Sequence, residues 1–266
     1  GPVGTELAAS CLAVFEHRGG ISLLAQGPGM TARANELACD VVFEVLRGHY
    51  KGGLKSSNWR YAPSAPVPQD KRLRRGENAR RSGARQYQLN ESGAPLEDYL
   101  EHKLGNCQVQ AAAATMLARA LGVKANVWHF VNADDDESDE DDRISSATHA
   151  ACVIGEVPSL EDPTRPAGKY ERTGRLDADH LFVVDTWSGL KGPSRSFPED
   201  FRQKMVDKSQ TGKLIAIEVE SDDAAKKGEV HEALLSPAGE AWLQMTVDSP
   251  FTMRKDTEPD AKYRPE

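Results

Sequence analysis

The chain has 266 residues, 39% of them hydrophobic, enough to bury a core in one large domain or two small ones. No run approaches the roughly eighteen continuous apolar residues that would span a bilayer, so the sequence reads as a soluble protein with no membrane partner. The formal net charge of −8 is local: "DDDESDEDD", Asp134 to Asp142, holds eight acids, and without it acids and bases balance at 33 each, which removes a global acidic field as a clue to partners.

The opening "GPVG" looks like the scar of a protease-cleaved tag, with no apolar signal segment after it. In "TARANELACDVVFEVLRG" the apolar positions Ala34, Leu37, Ala38, Val41, Val42, Val45 and Leu46 recur at helical spacing. Thr31 can cap the start of that helix and Gly48 can end it, with Cys39 packing beside the stripe. From Lys51 to about Gly93 the periodicity fails. Pro63, Pro66 and Pro68 precede "KRLRRGENARRSGAR", seven bases and one acid, and the segment reads as a long loop or extended wrapping stretch. Aromatic residues that could stack on bases are nearly absent from it, which argues against nucleic acid.

Order resumes with "PLEDYLEHKLG", where Pro95 suits the first helical position and Gly105 a stop. Asn106 can cap the next helix, which puts Cys107 in its first turn, and Ala111 to Ala114 give that helix a slim face. Beyond Gly122 the rhythm is strand-like in "KANVWHFV", "THAACVIG", "HLFVVDTW" and "KLIAIEV". The first two make a hairpin with the acidic run at its tip, a run without the calcium-loop spacing. "SFPEDFRQKMVDK" reads as a helix with Pro198, Glu199 and Asp200 in its first turn, and the residues after about Asp248 read as a polar tail. The expected organisation is a helical region with a basic loop at 1–94, a core at 95–247 and a tail at 248–266, in one compact domain.

Four cysteines, Cys11, Cys39, Cys107 and Cys152, show neither a CxxC pair nor dense spacing, so they are read as free thiols rather than disulfides or zinc ligands. HExxH, a post-strand GxGxxG and GxxxxGK[ST] are all missing. Thiol chemistry needs a thiolate, an imidazole to exchange its proton and a group to orient the imidazole. A helix start favours the thiolate through its unpaired N–H groups, and the backbone N–H of Cys107 can face a developing oxyanion. His149 begins a strand after a polar segment, and Asp185 ends an apolar strand before "TWSG". Taken singly, Cys107 is more often core, His149 a satisfied strand-end histidine and Asp185 a turn cap. The ordered set on helix, strand and strand is what shifts the balance. His180 is an alternative base, Trp187 is read as packing the Asp185 turn, and Cys152 as core. His129 is read as pointing outward from its strand. Asn106, Gln108 and Trp59 remain open as oxyanion donors.

Asn106 with Cys107, His149 with Ala150, and Asp185 with Trp187 resemble the transglutaminase-like and papain-like thiol enzymes, including bacterial effector and toxin glutamine deamidases. The resemblance covers roughly Leu96 to Val219. It departs at Thr186, where a proline is common, and at the acidic insertion before His149. An acid rather than an amide at Asp185 favours the transglutaminase-like branch. The resemblance implies an α+β fold with a helical layer on an antiparallel sheet and the nucleophile at a helix N-terminus. It also implies Cys107, His149 and Asp185 as catalytic residues and no metal or organic cofactor. The expected substrate is a protein glutamine carboxamide in a target cell, reached by secretion or translocation from a bacterium and docked through Lys71 to Arg85. A papain-like cysteine protease and a non-catalytic binding module on the same fold are the alternatives.

Overall fold

The computed structural model describes residues 1–56, 59–61, 65–131, 149–157, 159–160, 170–174, 178–218, 230–232 and 252–256. The N-terminal third is helical: α1 (Pro2–His17), α2 (Gly20–Ala25), a 3-10 turn (Pro28–Met30) and α3 (Thr31–His49). Residues 2–4 of the opening "GPVG" form the first turn of α1, and Glu97 accepts hydrogen bonds from the Val3 and Gly4 amides. Leu7, Cys11 and Phe15, spaced four apart, form the buried stripe of α1. The α3 stripe is buried at Ala34, Ala38, Val41, Val42 and Leu46. Thr31 is its first helical residue rather than its cap, and the helix runs one residue past Gly48. Its start is prepared by the preceding 3-10 turn, so no side-chain cap is used.

After β1 (Trp59–Tyr61) comes α4 (Gln69–Glu91), a 23-residue helix where the basic stretch suggested a loop. Its buried face is Ala79, Gly83, Gln86 and Leu89, of which only Leu89 is strongly apolar, too little for a hydropathy signal. Arg74 pairs with Asp70, and Arg80 and Arg81 pair with Glu77, at the i,i+3 and i,i+4 spacings that support a helix. α5 (Leu96–His102) starts one residue after Pro95 and stops before Gly105, because Lys103 takes a left-handed conformation. α6 (Cys107–Ala120) follows directly.

The main sheet contains β2 (Ala125–Val131), β3 (His149–Ile154), β4 (Ser159–Leu160), β5 (Tyr170–Gly174), β6 (Phe182–Asp185), β7 (Leu190–Pro193) and β10 (Thr252–Asp256). Its order is β4-β5-β10-β2-β3-β6-β7, with every neighbouring pair antiparallel. β2 and β3 form the expected hairpin, and its acidic connection lies outside the described residues. The polar tail reading fails at residues 252–256, because β10 is an interior strand between β5 and β2. Its sequence "TMRKD" alternates too weakly to announce a strand, and its place is set by backbone pairing. α7 (Phe197–Gln210) carries Glu199 and Asp200 in its first turn, and β8 (Lys213–Glu218) and β9 (Val230–Glu232) join β1 in a second sheet.

At β3 and β6 the main sheet is covered on both faces. Cys152, Ile154 and Val184 join the core built with α1, α3, α5 and α6. Ala151, Val153 and Val183 join Phe197, Phe201 and Met205 of α7. β3 is therefore buried along its whole length, which explains a continuous apolar run where a half-exposed strand would alternate. The architecture is α+β, with a helical layer packed on an antiparallel sheet. Among the described residues no helix is long and apolar enough to cross a membrane.

Candidate active site

Three local features converge at one end of β3. Asn106 is the N-cap of α6, and its Oδ1 accepts the Val109 N–H at 3.1 Å, which fixes Cys107 as the first helical residue. Side chains alternate along a strand, so His149 shares a face with Ala151 and Val153, and Asp185 shares that face with Val183. β3 and β6 are adjacent and antiparallel, with Cys152 opposite Val184. Strand register thus sets Asp185 opposite Ala151 and diagonal to His149 on the same face, within side-chain reach.

His149 Nε2 donates to Asp185 Oδ2 at 2.7 Å, and both residues are buried. A carboxylate only accepts, so Nε2 carries the proton and Nδ1 is the ring nitrogen left to face Cys107, which is close enough to help raise the imidazole pKa. Burial pulls the His149 pKa down, but the Asp185 charge and hydrogen bond, followed by the thiol, outweigh it and raise the imidazole to about 9. Burial pushes Asp185 up, and the His149 pairing with the Ser188 bonds more than offsets it, holding the carboxyl below its ordinary value. The two shifts favour an imidazolium–carboxylate pair.

Side chains from other elements hold this pair. Ser188 donates its hydroxyl to Asp185 Oδ2 at 2.5 Å and its N–H to Oδ1 at 3.2 Å. The Phe201 ring of α7 lies 4.7 Å from the His149 ring, and Trp187 lies 5.0 Å away at a steeper tilt. Trp187 Nε1 donates to Ser56 Oγ, and Lys208 Nζ sits over the indole. Trp187 therefore does more than pack the turn, because it also touches the imidazole. Ser188, Phe201 and Gln110, a buried amide one helical turn beyond Cys107, were not visible as site residues in the sequence. An acid followed three residues later by serine was the usable signal for Ser188; Phe201 and Gln110 gave none, because their partners are remote in the chain.

The four thiols divide sharply. Cys11, Cys39 and Cys152 are buried in apolar surroundings that push each up to about 12, whereas Cys107 is half-buried. Cys39 Sγ donates to the Val183 carbonyl, in keeping with a packing role. His180 precedes β6, at the opposite end from Asp185, and bonds the Glu156 carbonyl through Nε2, so it is remote from the thiol. Asn106 Oδ1 is engaged in the cap, and the side chains of Trp59 and His129 lie outside the described residues. Among the described residues no cluster of three or more His, Cys, Asp or Glu could hold a metal.

The fold and site together define an α+β domain with a half-buried thiol beside a buried histidine–aspartate pair. Residues 64–157 match the family model of the transglutaminase-like superfamily, a span that includes Cys107 and His149 and ends before Asp185. No curated protein and no solved structure matches the chain.

Proposed function

We propose that the chain is a cysteine-dependent acyl-transfer enzyme acting on the carboxamide of a protein glutamine, with Cys107 as nucleophile, His149 as proton carrier and Asp185 as its orienting partner. The supporting observation is the Cys107 thiol against an imidazole whose far nitrogen is tied to a buried carboxylate. The Cys107 thiolate attacks the carboxamide carbon, and the imidazolium protonates the departing nitrogen, so ammonia leaves and a thioester remains. His149, now neutral, takes a proton from water or from an amine as that nucleophile attacks, and the thiolate is expelled. Water yields glutamate and an amine yields a crosslink. The backbone N–H of Cys107 has no intrahelical acceptor at this position and can donate to the oxyanion.

The same three residues resemble bacterial effector and toxin deamidases, which supports a substrate protein met inside a target cell after secretion or translocation. The basic face of α4 is the proposed docking surface for that protein. The test treats eukaryotic and bacterial lysates with wild-type protein or Cys107→Ala and compares glutamine masses. Thiol-dependent glutamine-to-glutamate changes or crosslinks support the reading. Cut peptides would replace it with proteolysis, and identical lysates with a wild-type thiol no more reactive than a model peptide would replace it with a binding module.

A further inference from the structure

Gln110 is 3% exposed on α6, and its whole amide is engaged. Nε2 donates to the Gly105 carbonyl at 3.0 Å and the Leu54 carbonyl at 3.3 Å, and Oε1 accepts the Thr186 hydroxyl at 2.7 Å. Two carbonyls can only accept, so this amide orientation is the one that works. Helical side chains tilt toward the N-terminus, which is why a residue three positions beyond Cys107 reaches back to Gly105. Thr186 directly follows Asp185. One side chain thus bonds the segment that launches the Cys107 helix and the turn that carries the carboxylate.

The segment 53–56, with a single β-bridge at Lys55, closes the arrangement. Lys55 exchanges backbone hydrogen bonds with Lys103 and Gly105, and Ser56 accepts from Trp187. Gly53 has φ +115°, and a Cβ there would meet the Thr186 carbonyl at 3.2 Å and Gln110 Oε1 at 3.4 Å. A glycine is needed for both the conformation and the close approach.

We propose that Gln110 is the positioning residue that sets the Cys107 helix start against the Asp185 turn, acting through Thr186 on one side and the Leu54 and Gly105 carbonyls on the other. The proposal rests on the thiol reading above, and its test separates the two. Cys107 alkylation by iodoacetamide is followed by mass spectrometry across pH in wild type, Thr186→Val and Thr186→Ser. Valine keeps the shape and removes the hydroxyl; serine keeps the hydroxyl. Thr186→Val should slow neutral-pH alkylation by about tenfold or more and move its profile toward that of a free thiol, as expected when a misplaced base weakens the pair, with Thr186→Ser restoring both. A wild-type profile in Thr186→Val, or a Thr186→Ser that behaves like valine, overturns the proposal.

Amide exchange supplies a readout that needs no reactive thiol. The Ser188 and Gly189 N–H groups close the turn on Asp185, and their exchange should quicken in Thr186→Val. Unchanged exchange there overturns the positioning role even when the wild-type thiol proves unreactive, an outcome that by itself sinks the enzymatic reading instead.

Discussion

α4 and α6 are both helices rich in polar and small residues, yet Gln110 of α6 and the exposed arginines Arg74, Arg80 and Arg81 of α4 sit in opposite settings. α6 buries Gln110 and Thr115 and opens at the half-buried Cys107, while α4, which also buries Gln86, holds Arg74, Arg80 and Arg81 outward and pairs them with acids on its own surface. In the first, a lost partner leaves a desolvated group unsatisfied; in the second, water replaces the partner. Removing a polar partner should therefore have large consequences at Gln110 and almost none at Arg74, Arg80 or Arg81.

The largest expected effect is on turnover. Cys107→Ala should lower glutamine conversion by about a thousandfold or more, because no other group forms the thioester. Its melting midpoint should stay close to wild type, since a half-buried thiol contributes little packing. Retained conversion, measured by mass shift of the modified glutamine, would end the nucleophile assignment.

Next comes the buried pair. Asp185→Ala strands a buried imidazole and two Ser188 donors, and should cost about 3–5 kcal/mol in denaturant titration. The pH dependence has a defined sign. His149 is raised to about 9 from 6.5, so its stabilisation is complete below pH 6.5 and is lost as pH rises through about 9. Asp185 is lowered from 3.8, so its stabilisation holds above that value and is lost as pH falls through its depressed folded value. Wild-type melting should fall between pH 6.5 and about 9 more steeply than that of His149→Phe. Parallel curves would show that the pair is not charged in the folded protein.

A smaller effect belongs to the cap. Asn106→Ala removes the Val109 N–H acceptor and should cost about 1 kcal/mol by the same titration. That residue also marks what was legible in the sequence. Cap, helix start and strand ends were local signals, and Asn106, Cys107, His149 and Asp185 fall where those signals placed them, whereas the pairing of β3 with β6 came only from the structure. α4 was illegible because Ala79, Gly83 and Gln86 bury a face without hydropathy contrast. β10 was illegible because its pairing with β2 and β5 is non-local. Gln110 was illegible for a third reason: an amide in an alanine-rich helix acquires its role only when residues 54 and 186 arrive beside it.

The smallest expected effect is the sharpest test of the contrast. The Arg74 and Asp70 side chains are each more than two-thirds exposed and sit four residues apart at 3.0 Å. Their attraction is screened by water and salt, and holding two long side chains in one geometry costs rotamer freedom that nearly cancels it. Arginine and alanine are both strong helix formers, so Arg74→Ala changes neither propensity nor packing. The melting midpoint should move by less than about 1 °C at moderate salt. A shift several times larger, persisting as salt is raised, would mean that Arg74 meets something other than Asp70 and water. Arg74 would then belong with Gln110 as a polar residue held from outside its own helix.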